Sequence, residues 1–305
     1  MTDVPVALIT VTGVRRITPQ MTRMTFAGEG LEDFPTWPDQ QLKLCFPRPG
    51  QSAPRLPAVE ADGDVMRWYQ AFLAIPEEER PWMRSYTVRS YDPERHRITI
   101  DFVLHGASSS AADEETGPAT RWASTATVGD TLARYGPAAI YAKPLPLDSA
   151  DWLLLAGDET ALPAIGSLVE SLPRGSRAVA CIEVANAAEE QPLTSPADLT
   201  VHWVHRDDTT AARGGGALLN AVREASFPSG SVFAWLAGEA GAVRELRRHL
   251  VEERGIGKRQ IDFSGYWRRR LTQDDAPTEE DLAEAQERVA AAEEEARARS
   301  PQRPG

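Results

Sequence analysis

The stretch RSYTVR at residues 84–89 combines side chains that could bind an anionic ligand carrying a flat ring. An arginine stands at each end, Arg84 and Arg89, and a tyrosine and a threonine lie between them. Tyr, Thr and Val are also favoured in β-strands, so an ordinary strand with charged flanks explains the same residues. Taken alone, the stretch leaves both interpretations open.

A short helix is predicted in the run GPATRWASTATVGDTL, residues 117–132. Pro118 suits the first position of a helix, and Ala119 and Thr120 continue it. The unpaired N–H groups at a helix start can bind a pyrophosphate, and the hydroxyl of Thr120 could add to that site. A helix start that binds nothing is the alternative interpretation.

Two further turns could hold a ligand, because each follows an apolar strand. GDETALPAIGSL at 157–168 follows WLLLA, and GEA at 238–240 follows SVFAWLA. In open parallel sheets, ligands bind outside the carboxyl ends of the strands. No G-x-G-x-x-G run is present, which favours an exchanging nucleotide over a tightly held one. Helix capping by Asp158 or Thr160 is the alternative interpretation.

The elements that must position these motifs change character near residue 150. Residues 1–146 contain short β-rich runs such as VALITV, MTRMTF and the alternating RITIDFVLH, with a Pro-rich excursion over the surface between them. Residues 147–271 alternate apolar strands with helical patterns. Residues 272–305 are acidic, with one helical pattern at 278–299. We therefore expect a two-domain α+β protein with an antiparallel β-barrel, a doubly wound parallel α/β domain and a C-terminal helix.

Composition argues against several classes of protein. The 305 residues carry a formal charge of −12, from 45 acidic and 33 basic residues, whereas nucleic-acid-binding proteins need a basic surface. The two cysteines and five histidines show no metal-ligand spacing. No apolar run reaches the ~18 residues of a membrane span. We expect a cytoplasmic monomer that binds neither nucleic acid nor membrane.

The order of the motifs resembles that of the ferredoxin-reductase superfamily, in which a flavin-binding barrel precedes a nicotinamide domain. The likeness is closer to the siderophore-interacting proteins, which are flavin-dependent ferric-siderophore reductases. The residues that carry it span 84–269 and include RSYTVR, DFVLHG, GPATRWA, GDETALPAI, WLAGEA and GYWRR. The resemblance implies an enzyme that uses FAD to reduce a ferric siderophore and release ferrous iron. Its electrons would come from NADH or NADPH, or from a reduced ferredoxin.

The resemblance also implies which residues meet each ligand. Those that match FAD contacts are Arg84, Ser85, Tyr86, Thr87, Asp101, Phe102, Val103, His105, Ala119, Thr120 and Trp267. Those that match NAD(P)H contacts are Asp158, Glu159, Thr160, Ala161 and Glu239. A basic cluster near the end of the α/β domain would meet the anionic siderophore through Lys258, Arg268 and Arg269. No catalytic side chain and no protein-bound metal are expected, because the flavin carries the chemistry.

Two features depart from the family pattern, and two other functions stay open. The loop GASSSAADEET after His105 is long and polar, and Arg270 stands where a glycine is expected. Arg206, at the end of the strand TVHWVH, could accommodate the 2′-phosphate of NADPH. A general NAD(P)H–flavin oxidoreductase feeding a redox partner and a non-enzymatic siderophore carrier are the alternative functions.

Overall fold

The computed structural model describes residues 6–58, 65–104, 117–137, 150–206 and 216–269, together with 278–280, 282–283 and 286. The chain divides into two compact units, Met1–Arg268 and Arg269–Gly305. In the second unit the described residues from 279 onward are helical, and the carbonyl of Thr278 accepts the N–H of Leu282 at 3.0 Å. This is the start of the helix predicted at 278–299, and the rest of that helix lies outside the described residues.

The first half of the larger unit is an antiparallel sheet of seven strands, as expected from the short alternating runs. Its spatial order is β4-β3-β7-β1-β2-β6-β5. The strands are β1 (Val6–Thr18), β2 (Met21–Gly28), β3 (Gln41–Phe46), β4 (Trp82–Thr87), β5 (Ser90–Asp92), β6 (Arg97–Val103) and β7 (Thr131–Tyr135). Tyr86 of β4 contacts Phe102 of β6 with ring centroids 4.6 Å apart, so strands far apart in the sheet order come together as in a barrel.

The alternation in β6 explains how the barrel core forms. Ile98, Ile100 and Phe102 are fully buried and face Met24 and Phe26 on neighbouring β2. Burying each such side chain contributes about 1.5–3 kcal/mol, so this face fixes the register of the strand.

The described part of this half of the chain contains two helices. They are α1 (Val65–Leu73) and α2 (Pro118–Thr125). Trp68 and Phe72 of α1 are buried against Cys45 and Ala133 on the strands β3 and β7. The Pro-rich excursion therefore supplies a small apolar cluster of its own, which the sequence pattern did not indicate.

The second half is a parallel sheet of five strands in the order β10-β9-β8-β11-β12. The strands are β8 (Trp152–Asp158), β9 (Arg177–Val184), β10 (Asp198–His205), β11 (Val232–Glu239) and β12 (Ile261–Trp267), and the helices are α3 (Leu162–Ser171), α4 (Ala217–Glu224) and α5 (Ala240–Glu252). Every residue of β8 is buried, as expected for a central parallel strand. Among the described helices of the chain, none is long and apolar enough to cross a membrane.

Polar contacts join the two halves of the larger unit. The buried carboxylate of Glu189 accepts the hydroxyl of Thr18 at 2.5 Å and the backbone N–H of Gln20 at 3.0 Å. The indole N–H of Trp235 donates to Asp39 Oδ2 at 3.0 Å. These contacts hold the barrel against the parallel sheet and so place β4 beside the sheet.

Candidate functional site

The strand β4 carries the first arginine and the tyrosine of RSYTVR on one face of the barrel. Tyr86 lies opposite Leu42, and Arg84 lies opposite Leu44, on neighbouring β3. Tyr86 packs on Phe102, and burial raises the pKa of its phenol well above the ordinary value, with the positive charge of Arg84 acting in the opposite direction. Packing therefore fixes the tyrosine ring, which suits it to stacking against a flat ligand.

The start of α2 lies next to this strand. Trp122 of α2 contacts Phe46 and Phe102, with ring centroids 5.6 and 5.9 Å apart, and both of these rings also contact Tyr86. We call these four rings, Phe46, Tyr86, Phe102 and Trp122, the aromatic cluster. Trp122 was not among the predicted site residues, although a large aromatic residue one turn into a ligand-binding helix is a signal for such a role.

Among the described residues, no side chain caps the start of α2. Gly117 occupies the N-cap position, Pro118 begins the helix, and Ala119 is buried behind it. No described atom lies within 4 Å of the position that a Cβ of Gly117 would take. The Thr120 hydroxyl donates weakly to the carbonyl of Val103 at 3.4 Å. The first N–H groups of α2 are therefore arranged as an anion-binding helix start requires.

The predicted contacts on β6 are placed differently from what the resemblance suggested. Asp101 accepts a forked pair of hydrogen bonds from Arg23, both of 2.7 Å, and its side chain is 1% exposed. Phe102 is fully buried in the barrel core. Neither of these two side chains is open to a ligand, so Asp101 and Phe102 could meet FAD only through their backbone, whereas Val103 is half-buried. His105 lies outside the described residues.

The second arginine of RSYTVR has a structural partner. Arg89 donates two hydrogen bonds to Glu170 on α3, of 2.8 and 2.5 Å. Its guanidinium lies over Gly166, where an added Cβ would come within 3.1 Å of Arg89 Nε. The two arginines of RSYTVR are therefore placed differently: Arg84 lies on the same face of β4 as Tyr86, whereas Arg89 joins the barrel to the α/β half of the chain.

The carboxyl edge of the parallel sheet is organised around Asp158. Its Oδ1 accepts the N–H and the hydroxyl of Thr160 at 2.9 and 2.5 Å, and its Oδ2 accepts the N–H of Glu239 at 2.9 Å and the indole N–H of Trp267 at 2.8 Å. Burial and the charge of Glu159 raise the pKa of Asp158 to about 6, whereas the hydrogen bonds from Thr160 and Trp267 lower it. The structure therefore brings together four of the predicted residues, Asp158, Thr160, Glu239 and Trp267. The indole N–H of Trp267 is hydrogen-bonded within the α/β domain.

The other predicted residues of this edge shape its turns. Glu239 caps α5 by accepting the N–H of Ala242 at 2.9 Å. Ala161 is fully buried, and a Cβ added at Gly157 would come within 2.5 Å of the Ala161 Cβ. The same added Cβ would also lie 2.4 Å from the carbonyl oxygen of Ala237 on β11, so the ends of β8 and β11 are packed closely against one another at the predicted ligand edge.

Arg206 stands at this edge but is already engaged. It donates two hydrogen bonds of 2.6 Å to Glu159 and one of 3.2 Å to Glu183. Although burial acts to lower the pKa of Arg206, these two carboxylates raise it overall. A 2′-phosphate at this arginine would have to displace or approach two negative charges, so the structure does not favour the predicted phosphate site.

Tyr266 of β12 lies between the parallel sheet and the barrel, close to Trp235 of β11 and to Thr87 of β4. Its ring meets Trp235 edge-on, and burial raises the pKa of its phenol, as does the charge of Asp39, while Thr87 and Gln41 act to lower it. The hydroxyl is buried, yet it makes no hydrogen bond of ordinary geometry to any described residue. Thr87 and Gln41 lie close to this hydroxyl without forming a well-aligned hydrogen bond, so it keeps hydrogen-bonding capacity that a polar ligand atom would use.

These features fit the FAD that the sequence suggested. A fixed tyrosine ring, an uncapped helix start and an orphaned hydroxyl next to Thr87 match the flat ring, the pyrophosphate and the polar ring edge of that cofactor. Nothing among the described residues forms a His, Cys, Asp or Glu cluster able to hold a metal ion.

The structure separates the residues that were expected to form the siderophore site. Lys258 lies in a short 3₁₀ turn before β12, whereas Arg268 follows the end of that strand. A strand of this length spans about 20 Å, at about 3.3 Å per residue. Lys258 is therefore at the amino edge of the sheet and Arg268 at the carboxyl edge, so the structure does not bring these two residues together. Arg269 begins the second compact unit.

Comparisons with known proteins agree with this architecture. A family model described as the siderophore-interacting FAD-binding domain matches residues 10–141, and a model described as siderophore-interacting protein matches residues 150–270. The ferric vibriobactin reductase ViuB of Vibrio cholerae is 31% identical over 259 residues, which cover 83% of this chain and 86% of that protein.

Two solved structures extend the likeness to the fold. A siderophore utilization protein from T. fusca is 37% identical with a TM-score of 0.71, covering 89% of this chain and 96% of that one. The siderophore-interacting protein SipS from Aeromonas hydrophila is 27% identical with a TM-score of 0.67, covering 94% and 99%. With its FAD-binding domain and its α/β domain both matched, the chain belongs to the siderophore-interacting protein family.

Proposed function

We propose that this chain is a flavin-dependent reductase of ferric siderophores. The observation that carries the proposal is the pair of contacts that join the barrel to the parallel sheet: Arg89, two residues after β4, is bonded to Glu170 on α3, and Trp235 on β11 donates to Asp39. One edge can thus receive an electron donor while the barrel holds FAD. The name of the relative ViuB, a ferric vibriobactin reductase, agrees with this function.

The chain's own residues bind and orient the cofactor. Tyr86 presents a packed ring for stacking, Arg84 supplies a guanidinium for phosphate, and the start of α2 supplies N–H groups for the pyrophosphate. The orphaned hydroxyl of Tyr266 and the hydroxyl of Thr87 are available to the polar edge of the ring. FAD, when bound, accepts two electrons together and can give them up singly.

The electron donor is proposed to be NAD(P)H, bound at the carboxyl edge formed by residues 158–161 and Glu239. Parallel sheets bind nucleotides at this edge, and the turns after β8 and β11 meet there through Asp158. Because Arg206 is bound to Glu159 and Glu183, we expect NADH to be preferred over NADPH. A reduced ferredoxin is the competing donor.

The substrate is proposed to be an anionic ferric siderophore, with iron as cargo. Arg268 follows β12 at the carboxyl edge of the parallel sheet, and this position next to the proposed donor site supports its assignment to the substrate. Its charge would attract an anionic chelate, and the iron would leave once reduction weakens its hold on oxygen donors.

The test is anaerobic spectroscopy of the purified, FAD-loaded protein. A yellow protein whose flavin bands are bleached by NADH and restored by a ferric siderophore, with ferrous iron trapped by a colorimetric chelator, supports the proposal. If reduced ferredoxin bleaches the flavin bands and NADH does not, ferredoxin is the electron donor instead of NAD(P)H. Restoration by a protein acceptor and not by ferric chelates would favour a general flavin oxidoreductase, and tight chelate binding without flavin uptake would favour a carrier.

A further inference from the structure

The carboxylate of Asp158 reaches across the parallel sheet to a strand that is not its neighbour. Asp158 ends β8, Trp267 ends β12, and β11 lies between these two strands. Two strand spacings amount to about 10 Å. Even so, Asp158 Oδ2 accepts the indole N–H of Trp267 at 2.8 Å.

Gly238 of β11 leaves the space that this contact needs. Its φ is +140°, and a Cβ added there would come within 2.7 Å of Asp158 Oδ2. Any other residue at position 238 would place a side chain where the carboxylate lies. The same oxygen accepts the N–H of Glu239, so one buried atom connects the ends of β8, β11 and β12.

The hydrogen bond also fixes an aromatic ring. An indole N–H donating to a carboxylate makes a charge-assisted bond, which is shorter and stronger than a neutral one. Trp267 is half-buried at the carboxyl edge, beside the turns that we propose to hold the electron donor. Its ring is large enough to define one wall for a nicotinamide.

We propose that Asp158 is a positioning residue that fixes the indole of Trp267 as a wall of the nicotinamide site. The inference rests on the proposed function, since that function assigns the donor to this edge. Trp267 was expected to contact FAD, and its bond to Asp158 instead assigns it to the boundary between the cofactor and the donor.

The first measurement follows the indole itself in the ¹⁵N-labelled, FAD-loaded protein. The chain has eight tryptophans, and the signal missing from Trp267→Phe identifies the Trp267 N–H. Asp158→Asn should move that signal, because the amide N–H₂ faces donors that the carboxylate accepted. Asp198→Asn, the same change at the exposed amino edge of the sheet, should leave it in place. NADH added to the wild-type protein should also move the signal.

The second measurement separates donor binding from the later steps. Asp158→Asn should raise the KM for NADH about tenfold, the effect of one lost charge-assisted hydrogen bond. FAD content, kcat and the KM for the ferric chelate should stay near their wild-type values. Trp267→Phe should raise the same KM, and adding Asp158→Asn to it should change the KM by no more than about twofold, as for two residues acting through one contact.

Several results would overturn the inference. The Trp267 indole signal would keep its wild-type position in Asp158→Asn, or it would not move when NADH is added. Alternatively, the increases in the KM for NADH caused by Asp158→Asn and Trp267→Phe would multiply in the double variant. A loss of kcat with an unchanged KM for NADH would do the same. Failure of the proposed function is a different result: FAD would not bind to the wild-type protein, while the indole signal would still report the Asp158–Trp267 bond.

Discussion

Arg89 and Glu170 form a forked ion pair that joins the barrel to the parallel sheet, with N–O distances of 2.8 and 2.5 Å. The arginine side chain is 13% exposed and the carboxylate 40%. Arg84, five residues earlier, lies on the face of β4 that also carries Tyr86, and we propose that it binds FAD. Two arginines of one short motif therefore have separable roles.

Alanine substitution should distinguish these roles. Arg84→Ala should lose FAD occupancy and keep the stability of the unloaded protein. Arg89→Ala should keep FAD and lower the free energy of unfolding by about 1 kcal/mol, as for a partly exposed pair. Flavin absorbance per protein and urea unfolding of both variants make the comparison. Normal FAD content in Arg84→Ala would refute the assignment of Arg84.

Removing the Tyr266 hydroxyl should have opposite effects with and without cofactor. Tyr266→Phe eliminates an orphaned buried group, so the unloaded protein should become more stable by about 1 kcal/mol. If the hydroxyl bonds FAD, the FAD dissociation constant should rise about fivefold to tenfold. Thermal unfolding without FAD and fluorescence titration with FAD test the two parts. An unchanged FAD affinity would show that the hydroxyl faces no cofactor atom.

The titration of Asp158 should be visible in the pH dependence of stability. Burial and Glu159 raise its pKa from 3.8 to about 6. Because the folded value lies above the unfolded one, the stabilising contribution of this group is complete below about pH 4 and is lost as pH rises through about 6. The change amounts to about 3 kcal/mol.

Urea unfolding of the wild-type protein and Asp158→Asn across this pH range measures the contribution. The wild-type protein should gain stability relative to the variant as the pH falls from about 7 to about 4. Glu159, bound to Arg206, and Glu239, which caps α5, face the same turn and are unchanged in the variant. Identical pH profiles for the two proteins would contradict the raised pKa.

Gly238→Ala should destabilise the protein by about 1–3 kcal/mol, the cost of a strained backbone, plus the effect of the clash with Asp158. Gly175→Ala is the matched control, since Gly175 also has a positive φ but a Cβ there meets nothing within 4 Å. The difference between the two variants in thermal unfolding isolates the clash. Equal destabilisation would mean that the space beside Asp158 is not needed.

Strong local patterns were sufficient to predict much of the fold. The alternation of β6 and the unbroken apolar runs of β8 and β11 report burial directly, and the structure confirms the antiparallel and parallel sheets. The strand β12, IDFSGYW, was not identified as a strand because it lies at the edge of its sheet, where polar residues and glycine are tolerated.

The candidate site was harder to predict, because its details depend on contacts between residues distant in sequence. The pairing of Asp101 with Arg23 follows from the neighbouring strands β6 and β2, and that of Arg206 with Glu159 from the common carboxyl edge of β10 and β8. The separation of Lys258 from Arg268 follows from the strand β12 that lies between them. A short motif states which residue types are present. It does not state which charges are already neutralised by partners elsewhere in the fold.

The contact of Glu189 with the turn between β1 and β2 also has a consequence for how electrons would move. A buried carboxylate bonded to both Thr18 and Gln20 leaves little freedom for the barrel to swing away from the sheet. Both halves belong to one compact unit, so electrons passing from the parallel sheet to the barrel would stay within a single folded body and need no docking of separate domains.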